Sequence, residues 1–344
     1  TYNLLRQFWR RGIDVLLFPI SANMDISSYD KMDPLFKKYI ENSINNASLK
    51  IAKDMPNLKL WHLNGSQSRV TSKQLLYTFY ELDEPTNVEL NLARLQNKVL
   101  FSSNYSNDVF KKNDVNCDYC PIGFDEDFHK THKKYLDEDV IHFGLMGKFE
   151  KRKHTEKIIK LWLSKYANNN KYQLTVCVTN PFHKAEEMNQ ILASVFENKR
   201  YTNVNVLPYL KTNSEVNELL NSIDIDLTGL SGAEGWNLPS FNATALGKWS
   251  IVLNSTAHKD WANEKNSILI EPNGKEECYD GKFFLKGQPF NQGNIYTWDS
   301  DIVSQAMDKA VSKKGQNNTE GEKLQTDFSY GKAADRIITE LEAL

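Results

Sequence analysis

Long apolar runs are missing from this chain: no stretch approaches the roughly 18–20 apolar residues that a membrane-spanning helix requires. The sequence therefore predicts no transmembrane helix and leaves peripheral membrane contact open. The apolar stretch within residues 1–20 lacks the small-residue cleavage site of a secretory signal, so it is interpreted as helix, turn and strand. A basic excess is also missing, because 42 Lys and Arg face 44 Asp and Glu. This argues against a global nucleic-acid-binding surface, while a local basic groove stays open.

Cysteine is scarce, with four residues in the chain: Cys117, Cys120, Cys177 and Cys278. Cys117 and Cys120 form one CxxC pair, but a structural zinc ion needs four ligands and no second CxxC or HxxxH pair is present. We interpret the pair as incidental thiols in a loop before a strand, with a metal or redox role as the alternative. This cysteine usage favours a reducing, cytoplasmic location.

Short β-type runs alternate with helical patterns along most of the chain, whose 344 residues are sufficient for two domains. Such alternation is typical of α/β proteins with parallel sheets and helices on both faces. The predicted strands cover residues 15–19, 59–62, 74–80, 99–102, 140–146, 173–178, 205–207, 223–228 and 250–253. The predicted helices cover residues 33–44, 155–166, 184–196, 214–222, 239–246 and 330–343.

A polar, charged segment at residues 128–138 is interpreted as the linker between two Rossmann-like domains. The predicted N-terminal domain covers residues 1–130 and is joined by the C-terminal helix at 328–344, while the second domain covers 131–327. Polar residues 313–326 are predicted to form a surface loop. A Rossmann unit normally opens with a strand and a Gly-rich turn, whereas this chain starts in a helix. The opening strand and turn are therefore expected to be absent.

The densest pattern lies at residues 224–247, DIDLTGLSGAEGWNLPSFNATALG, and predicts a strand, a glycine-containing loop and a helix. The loop glycines allow the backbone to approach a ligand closely. Asn237 is predicted to cap the helix, with Pro239 in its first turn and Gly247 at its end. The helix N-terminus then faces the carboxyl edge of the sheet, where its free N–H groups favour an anion such as phosphate.

Glu234 lies in the loop just before this helix. A carboxylate there can accept hydrogen bonds from sugar hydroxyls or stabilise positive charge that develops at an anomeric carbon. The alternative is a structural glutamate that stabilises the helix dipole.

The string S-x-x-E-G-W-N-L-P-x-x-N-A-x-A-x-G-K, residues 231–248, resembles the donor signature of retaining GT-B glycosyltransferases of family GT4. The resemblance implies a GT-B architecture, in which two Rossmann-like domains with mostly parallel sheets face each other across a cleft. It implies that Glu234 contacts the transferred sugar. It also implies that residues 236–238 hold sugar or phosphate through backbone N–H groups. The family's second glutamate, which grips the nucleotide ribose, is replaced here by Asn242, which offers no charge-assisted hydrogen bond. The donor-binding residues implied by the string are Gly235, Trp236, Asn237, Leu238 and Asn242.

The segment GKFEKRK, residues 147–153, resembles the family's G-R/K-x-x-x-R-K-G turn, whose two cationic positions neutralise the donor diphosphate. Those positions are Lys148 and Lys153, with Gly147 at the start of the turn and Arg152 nearby. A leaving nucleoside diphosphate needs positive charge where negative charge develops. The resemblance implies that the two lysines replace a metal, so neither a metal nor another bound cofactor is expected. The alternative is a solvated basic turn.

Family logic places the acceptor in the N-terminal domain, on the opposite side of the cleft. Three polar side chains follow predicted strands there and are candidates for acceptor contacts: His62, Glu81 and Asp83. For His62 a structural role is the alternative, and for Glu81 and Asp83 the alternative is exposure to solvent. Looser similarity to the family runs through PIGFDEDF and YDGKFF, so the resemblance extends over most of the chain.

The expected function is transfer of a sugar, with retention, from a nucleoside-diphosphate sugar to a hydroxyl of a glycan or lipid-linked glycan. Two alternatives stay open: the same chemistry on modified bases of viral DNA, and a GT-B protein that binds a nucleotide or partner without catalysis. A DNA acceptor needs a basic groove with room for a flipped base, and the net charge of −2 counts against it.

Overall fold

Two parallel sheets form the framework of the protein in a computed structural model that describes residues 1–21, 24–131, 133 and 135–344. The first sheet consists, in spatial order, of β1 (Pro56–Leu60), β2 (Lys73–Thr78), β3 (Lys98–Phe101) and β4 (Cys117–Tyr119). The second contains β5 (Ile141–Met146), β6 (Tyr172–Cys177), β7 (Val204–Val206), β8 (Ile225–Asp226), β9 (Trp249–Leu253) and β10 (Ser267–Ile270), in the order β10-β9-β8-β5-β6-β7. All neighbouring strands in both sheets are parallel. The predicted α/β class is therefore confirmed.

Helices connect the strands and cover the sheets. Those of the N-terminal part are α1 (Tyr2–Arg10), α2 (Pro34–Asn45), α3 (Ala47–Lys50), α4 (Asn87–Arg94) and α5 (Asn104–Lys111). The following helices are α6 (Thr155–Tyr166), α7 (Ala185–Val195), α8 (Asn213–Ser222), α9 (Leu238–Ala245), α10 (His258–Trp261), α11 (Ser300–Val311), α12 (Thr319–Glu322), α13 (Leu324–Asp327) and α14 (Tyr330–Glu342). None of the helices in the described ranges is long and apolar enough to cross a bilayer.

An antiparallel pair of strands, β11 (Gly274–Glu277) and β12 (Asn294–Thr297), extends from the second sheet after β10. We call residues 274–297 the arm. Cys278, Phe284 and Ile295 of the arm are buried in one apolar cluster with side chains of the first sheet, among them Leu76 and Val99. The arm therefore joins the two sheets through a shared core.

The predicted elements agree with the structure in long periodic segments and differ in short ones. Helix α6 covers the predicted residues 155–166, whereas the predicted strand at 15–19 is wrong. The backbone N–H of Leu17 donates to the carbonyl of Ser43 at 2.9 Å, so this segment lies along α2 rather than in a sheet. The predicted loop at 313–326 contains α12 and α13, and Cys117 starts β4 instead of preceding it.

The predicted linker at 128–138 is attached to α8 by asparagine side chains; its residues 132 and 134 lie outside the described ranges. The backbone N–H of His129 donates to Asn217 Oδ1 at 3.1 Å, and that of Thr131 donates to Asn221 Oδ1 at 2.8 Å. The linker is therefore hydrogen-bonded to α8, a helix that packs on the second sheet. The domain boundaries themselves stay a prediction.

The C-terminal helix α14 packs against α1 and β1, so the end of the chain returns to the N-terminal half. It is reached through a crossing of two backbone segments, where the N–H of Phe124 donates to the carbonyl of Phe328 at 2.6 Å. A Cβ atom at Gly123 would lie 2.1 Å from the backbone nitrogen of Tyr330. Only glycine permits this close crossing.

We expect Gly123→Ala to destabilise the protein by about 3 kcal/mol or more, because the new methyl group meets main-chain atoms that side-chain rotation cannot move. Gly331→Ala is the matched control in the same crossing. It lies in α14, and its new Cβ would meet Ser329 Oγ at 3.6 Å, an ordinary van der Waals contact, so helix propensity predicts a gain of up to about 1 kcal/mol. Urea unfolding of the two variants checks this, and equal stability would contradict it.

Candidate active site

The candidate site forms where the segments after β5 and β8 meet. These strands are neighbours in the second sheet, with Gly144 paired to Asp226. We call residues 147–154, after β5, the basic turn, and residues 231–237, after β8, the glutamate loop. Because carboxyl ends of parallel strands lie on one edge of a sheet, both segments reach the same place.

Glycine brings the basic turn and the glutamate loop into contact. The backbone N–H of Gly232 donates to the carbonyl of Arg152 at 2.8 Å. A Cβ atom at Gly232 would lie 2.5 Å from both Nε2 of His154 and the carbonyl oxygen of Tyr296. Gly147 has a φ of 136°, which few other residues adopt. The two segments are therefore joined through their backbones before any side chain contributes.

Glu234 is buried between two cations of the basic turn. Its Oε1 lies 2.5 Å from Lys153 Nζ, and its Oε2 lies 3.2 Å from Arg152 Nη1. The side chain of Glu234 is only 6% exposed. Burial alone would raise the pKa of Glu234, but Lys153 and Arg152 outweigh it and lower the pKa to about 2. The carboxylate is therefore ionised at neutral pH.

Arg152 connects this pair to the first sheet. Its Nε lies 2.8 Å from Glu150, in an ion pair that is not aligned as a hydrogen bond, and its Nη2 lies 3.8 Å from Glu81 of the N-terminal half. Burial opposes its charge, yet the nearby carboxylates raise the pKa of Arg152. We call Glu81, Glu150, Arg152, Lys153 and Glu234 the ion cluster. It spans both halves of the molecule.

The two lysines expected to neutralise the diphosphate, Lys148 and Lys153, have different contacts in the structure. Lys153 contacts Glu234, but Lys148 is exposed and its ammonium lies 4.9 Å from the ring centroid of Phe182. The structure therefore places Lys148 apart from Glu234, and Arg152 is the second cation beside that carboxylate. The order of residues in the turn did not reveal this, because the 3₁₀ helix Lys151–Lys153 places Arg152 and Lys153 together on Glu234, while Lys151 donates to the carbonyl of Glu277.

Asn237 is the N-cap residue of α9, as predicted, but its side chain makes no cap hydrogen bond, so that part of the prediction is wrong. Asn237 has a φ of 69°, and its amide nitrogen donates to the carbonyl of Thr228 at 2.9 Å instead. Among the described residues, the backbone N–H groups of Leu238 and Ser240 have no partner. Pro239 lies in the first turn, as predicted, and Gly247 follows the helix with a φ of 84°. An uncapped helix start next to two cations favours an anion.

His258 was not singled out in the sequence, although it follows β9 at the same sheet edge. Its Nδ1 lies 2.8 Å from the carbonyl of Leu253, and its Nε2 lies 2.9 Å from the side-chain nitrogen of Asn237. Nδ1 therefore donates and Nε2 accepts, which requires a neutral ring. Burial lowers the pKa of His258 to about 4 despite the nearby Glu234. The imidazole holds Asn237, and Asn237 in turn shapes the start of α9.

The remaining donor-side residues surround the start of α9. Trp236 is buried, and its carbonyl accepts a hydrogen bond from Trp261 Nε1 at 3.1 Å. Leu238 is 44% exposed, so the helix start is open to solvent at this point. Asn242 is buried, and its side-chain oxygen has no hydrogen-bond partner among the described residues. A buried polar atom without a partner is costly, which favours a ligand there.

The carboxyl edge of the first sheet closes over the glutamate loop. Ser102 Oγ donates to the carbonyl of Gly235 at 2.7 Å, and a Cβ atom at Gly235 would lie 3.1 Å from Cβ of Phe79. The Asp260 carboxylate accepts hydrogen bonds from the backbone and side-chain nitrogens of Asn104 at 2.8 and 3.2 Å. The halves are thus in direct contact at the site. A groove of about 680 Å³ beside the basic turn is lined by Lys151 and other residues but not by Glu234.

The three acceptor-side candidates lie in different surroundings. Glu81 belongs to the ion cluster. Asp83 is bound to the arm, 2.7 Å from Lys275 Nζ and 2.7 Å from the backbone nitrogen of Asn294, and these bonds lower its pKa against the effect of burial. His62 is exposed beside Trp61. Of these three, the structure therefore brings only Glu81 to Arg152 of the ion cluster, and the acceptor roles stay predictions.

In the sequence DID at residues 224–226, Ile225 and Asp226 form β8, and Asp226 binds residues on either side of the glutamate loop. Asp226 is buried, with Ser240 Oγ at 2.6 Å and the backbone nitrogen of Thr228 at 3.0 Å. Within the described ranges, no group of three or more His, Cys, Asp or Glu side chains is placed to hold a metal ion. The four cysteines are free and buried. Whether the protein works without a metal stays a prediction.

Comparison with known proteins shows the fold. No family model matches the chain, and no curated protein matches its sequence. The structure is similar to sucrose-phosphate synthase from Thermosynechococcus elongatus, with 12% identity, coverage of 99% of this chain and 91% of that chain, and a TM-score of 0.69. It is also similar to a glycosyltransferase from Rickettsia africae (12% identity, 98% and 87% coverage, TM-score 0.60) and to Anabaena HepE in complex with UDP-glucose (12%, 79% and 72%, 0.58). The chain has the GT-B fold. In this GT-B chain, the ion cluster lies where the two sheets face each other.

We expect Asp260→Asn to raise the melting temperature at neutral pH. Burial raises the pKa of Asp260 from 3.8 to about 6, against the hydrogen bonds from Asn104 and with added repulsion from Asp108. A raised carboxyl pKa means that stability is highest below the unfolded-state pKa and is lost as pH rises through the folded-state pKa. The asparagine carries no charge, and its one acceptor oxygen keeps the shorter bond, from the backbone nitrogen of Asn104, while the longer bond from the exposed Asn104 side chain is lost.

Melting curves between about pH 4 and pH 8 check this linkage. The gain should be present at the upper end and disappear toward the lower end. Asp54→Asn, at an exposed position, is the control and should leave the profile unchanged. A variant less stable than the unmodified protein at neutral pH would contradict the assignment.

Proposed function

We propose that this protein is a retaining glycosyltransferase that moves a sugar from a nucleoside-diphosphate sugar to an acceptor hydroxyl. The observation that carries the proposal is the buried Glu234 carboxylate between Lys153 and Arg152, next to the open start of α9. The GT-B fold supports it, and so does the similarity to HepE, whose structure holds UDP-glucose. The string at 231–248 supports the GT4 relationship.

The donor diphosphate would bind where the cations and the helix start converge. Lys153 and Arg152 supply positive charge, and the free N–H groups of Leu238 and Ser240 supply donors. A dianion attracts these two cations more strongly than a single carboxylate does, so its arrival would release Glu234 from them. Lys153 and the exposed Lys148 are proposed to take the place of a metal ion.

Glu234 would then act on the sugar. Free of its two cations, its carboxylate accepts hydrogen bonds from sugar hydroxyls and stabilises positive charge as the bond to the diphosphate breaks. The sugar–phosphate bond breaks, the acceptor oxygen bonds to the same face of the anomeric carbon, and the acceptor proton passes to the departing diphosphate. No enzymic nucleophile is needed for this route, and retention follows from attack on the face that the leaving group vacates.

Access to the ion cluster requires the two halves to move. Glu234 is buried, the side chain of Arg152 is only 11% exposed, and Ser102 and Asn104 of the first sheet's side bind Gly235 and Asp260. Opening would admit the donor, and closing would exclude water from the reactive sugar. Glu81 pairs with Arg152 from the side of the first sheet, so a diphosphate that binds Arg152 would also weaken this pair. The acceptor hydroxyl is proposed to lie on the same side of the cleft as Glu81.

We expect a donor panel of UDP-, GDP- and ADP-sugars to reveal release of the matching nucleoside diphosphate, also in the presence of EDTA. Glu234→Gln keeps the size of the side chain but removes its charge, so kcat should fall by about 100-fold or more. Glu277→Gln, on the exposed arm and paired with Lys286, is the matched control and should retain activity.

Three outcomes decide the matter. Release that depends on Glu234 supports the enzyme, and analysis of the product's anomeric configuration tests retention. Binding of a nucleotide without release would favour a non-enzymatic GT-B protein. Full activity of the Glu234→Gln variant would refute the assigned role.

Asn242→Ala is expected to separate ligand binding from folding. The side-chain oxygen of Asn242 is buried without a partner in the unliganded protein, so its removal should leave the melting temperature unchanged or higher. If Asn242 binds the ribose, however, the rise in melting temperature caused by the nucleotide should shrink, with Kd weakened about tenfold. A lower melting temperature together with unchanged nucleotide affinity would show that Asn242 is structural.

A further inference from the structure

Trp61 differs from the other tryptophans in its exposure. The chain has seven tryptophans. Trp162, Trp236, Trp261 and Trp298 are buried at 2% exposure or less, and the remaining two are partly buried. Trp61 is 40% exposed. Its indole therefore presents part of an aromatic face to solvent, where a ligand can stack on it.

Trp61 lies on the edge of the first sheet that faces the ion cluster. It follows β1 directly, and its backbone N–H donates to the carbonyl of Tyr77 in β2 at 3.2 Å. Phe79, just beyond β2, contacts Gly235 of the glutamate loop. Neighbouring strands are about 4.8 Å apart and residues rise about 3.3 Å, so the backbone of Trp61 lies on the order of 10 Å from Gly235. That span matches about two linked sugar rings.

The loop that carries Trp61 is held in one conformation by hydrogen bonds. Lys59 Nζ donates to the carbonyls of Gly65 at 2.8 Å and Ser68 at 2.6 Å, and Gln74 Nε2 donates to the carbonyl of Ser66 at 2.8 Å. Gly65 has a φ of 85°, and a Cβ there would lie 3.3 Å from the indole nitrogen of Trp61. The backbone that carries the exposed ring is therefore held in place before a ligand arrives, which lowers the entropy cost of binding.

The chemistry around this ring fits a neutral saccharide. The face of an indole carries partial negative charge and attracts the C–H groups on the apolar face of a sugar ring. The indole N–H has no hydrogen-bond partner among the described residues, and the exposed side chains of His62 and Asn64 add donors and acceptors for hydroxyls. One aromatic face with polar neighbours is the pattern of a site that orients a polar ligand.

Two other kinds of partner fit this edge less well. A membrane surface requires a broad apolar face, but the exposed large apolar side chains between positions 56 and 119 are Trp61, Val70, Val88 and Leu95, which lie on separate segments. Nucleic acid requires clustered cations, whereas the neighbouring strand end carries Glu81, Asp83 and Glu84. The edge therefore favours an uncharged ligand.

We propose that Trp61 is a stacking platform for an acceptor oligosaccharide, with one sugar ring on the indole and the reacting ring next to Phe79, Glu81 and Glu234. The position of the reacting ring depends on the proposed glycosyltransferase function. The binding of saccharide by Trp61 does not, since it can be measured without a donor. In this arrangement Trp61 selects acceptors with at least two rings.

The test measures binding of glucose, maltotriose, cellotriose and N-acetylchitotriose by saturation-transfer NMR and calorimetry, with no donor present. At least one trisaccharide should bind and glucose should bind more weakly. Trp61→Ala should weaken that trisaccharide's Kd about tenfold or more, and Trp61→Phe should restore most of the affinity. Tyr135→Ala, another exposed aromatic position, is the matched control and should bind as the unmodified protein does.

Stability and donor binding are read in parallel. All variants should keep the melting temperature and its increase with nucleoside diphosphate, because Trp61 is exposed and lies outside the ion cluster. Unchanged trisaccharide affinity in Trp61→Ala, or no binding of any panel member, would overturn the proposal. Binding of oligothymidylate or phosphatidylglycerol vesicles that depends on Trp61 would overturn it too. Saccharide binding through Trp61 without nucleotide release would refute only the proposed enzymatic function.

Discussion

The arrangement of the site depends on the ion pairs of Glu234. A carboxylate in an apolar interior would take up a proton unless cations compensate for the lost water. Lys153 and Arg152 provide that compensation and keep the pKa of Glu234 at about 2. Removal of either partner from such a buried pair leaves an uncompensated charge, so the basic turn and the glutamate loop are bound to each other electrostatically as well as through their backbones.

The same interaction links stability to ligand exchange. In the unliganded protein, the cations that suit a diphosphate are neutralised by carboxylates of the chain itself, including Glu81 from the opposite sheet. Under the proposed function, a donor that binds there would exchange one set of anions for another rather than fill an empty charged cavity. This would lower the cost of keeping a cationic site inside a closed molecule, and it would couple donor binding to the contact between the two halves.

The geometry of the candidate site depends on the backbone as well as on the charged side chains. Gly232 can pack against His154 and Tyr296 because it has no Cβ atom. Asn237, in a left-handed conformation and held by His258, leaves the first N–H groups of α9 free. An ordinary cap would occupy those donors. Leaving them unpaired costs stability, which is typical of a site whose ligand supplies the missing partner.

The sequence by itself determined the α/β class, the long helices such as α6, and the position of Glu234 before α9, because hydrophobic periodicity and glycine placement are local properties. Only the tertiary structure decided that Arg152 rather than Lys148 accompanies Lys153, that Asn237 binds His258, and that Asp83 holds the arm. The strand predicted at 15–19 is wrong for the same reason, because this segment lies along α2 instead of pairing in a sheet. Partners distant in the chain are chosen by burial and charge balance in three dimensions, and spacing along one segment carries no information about them.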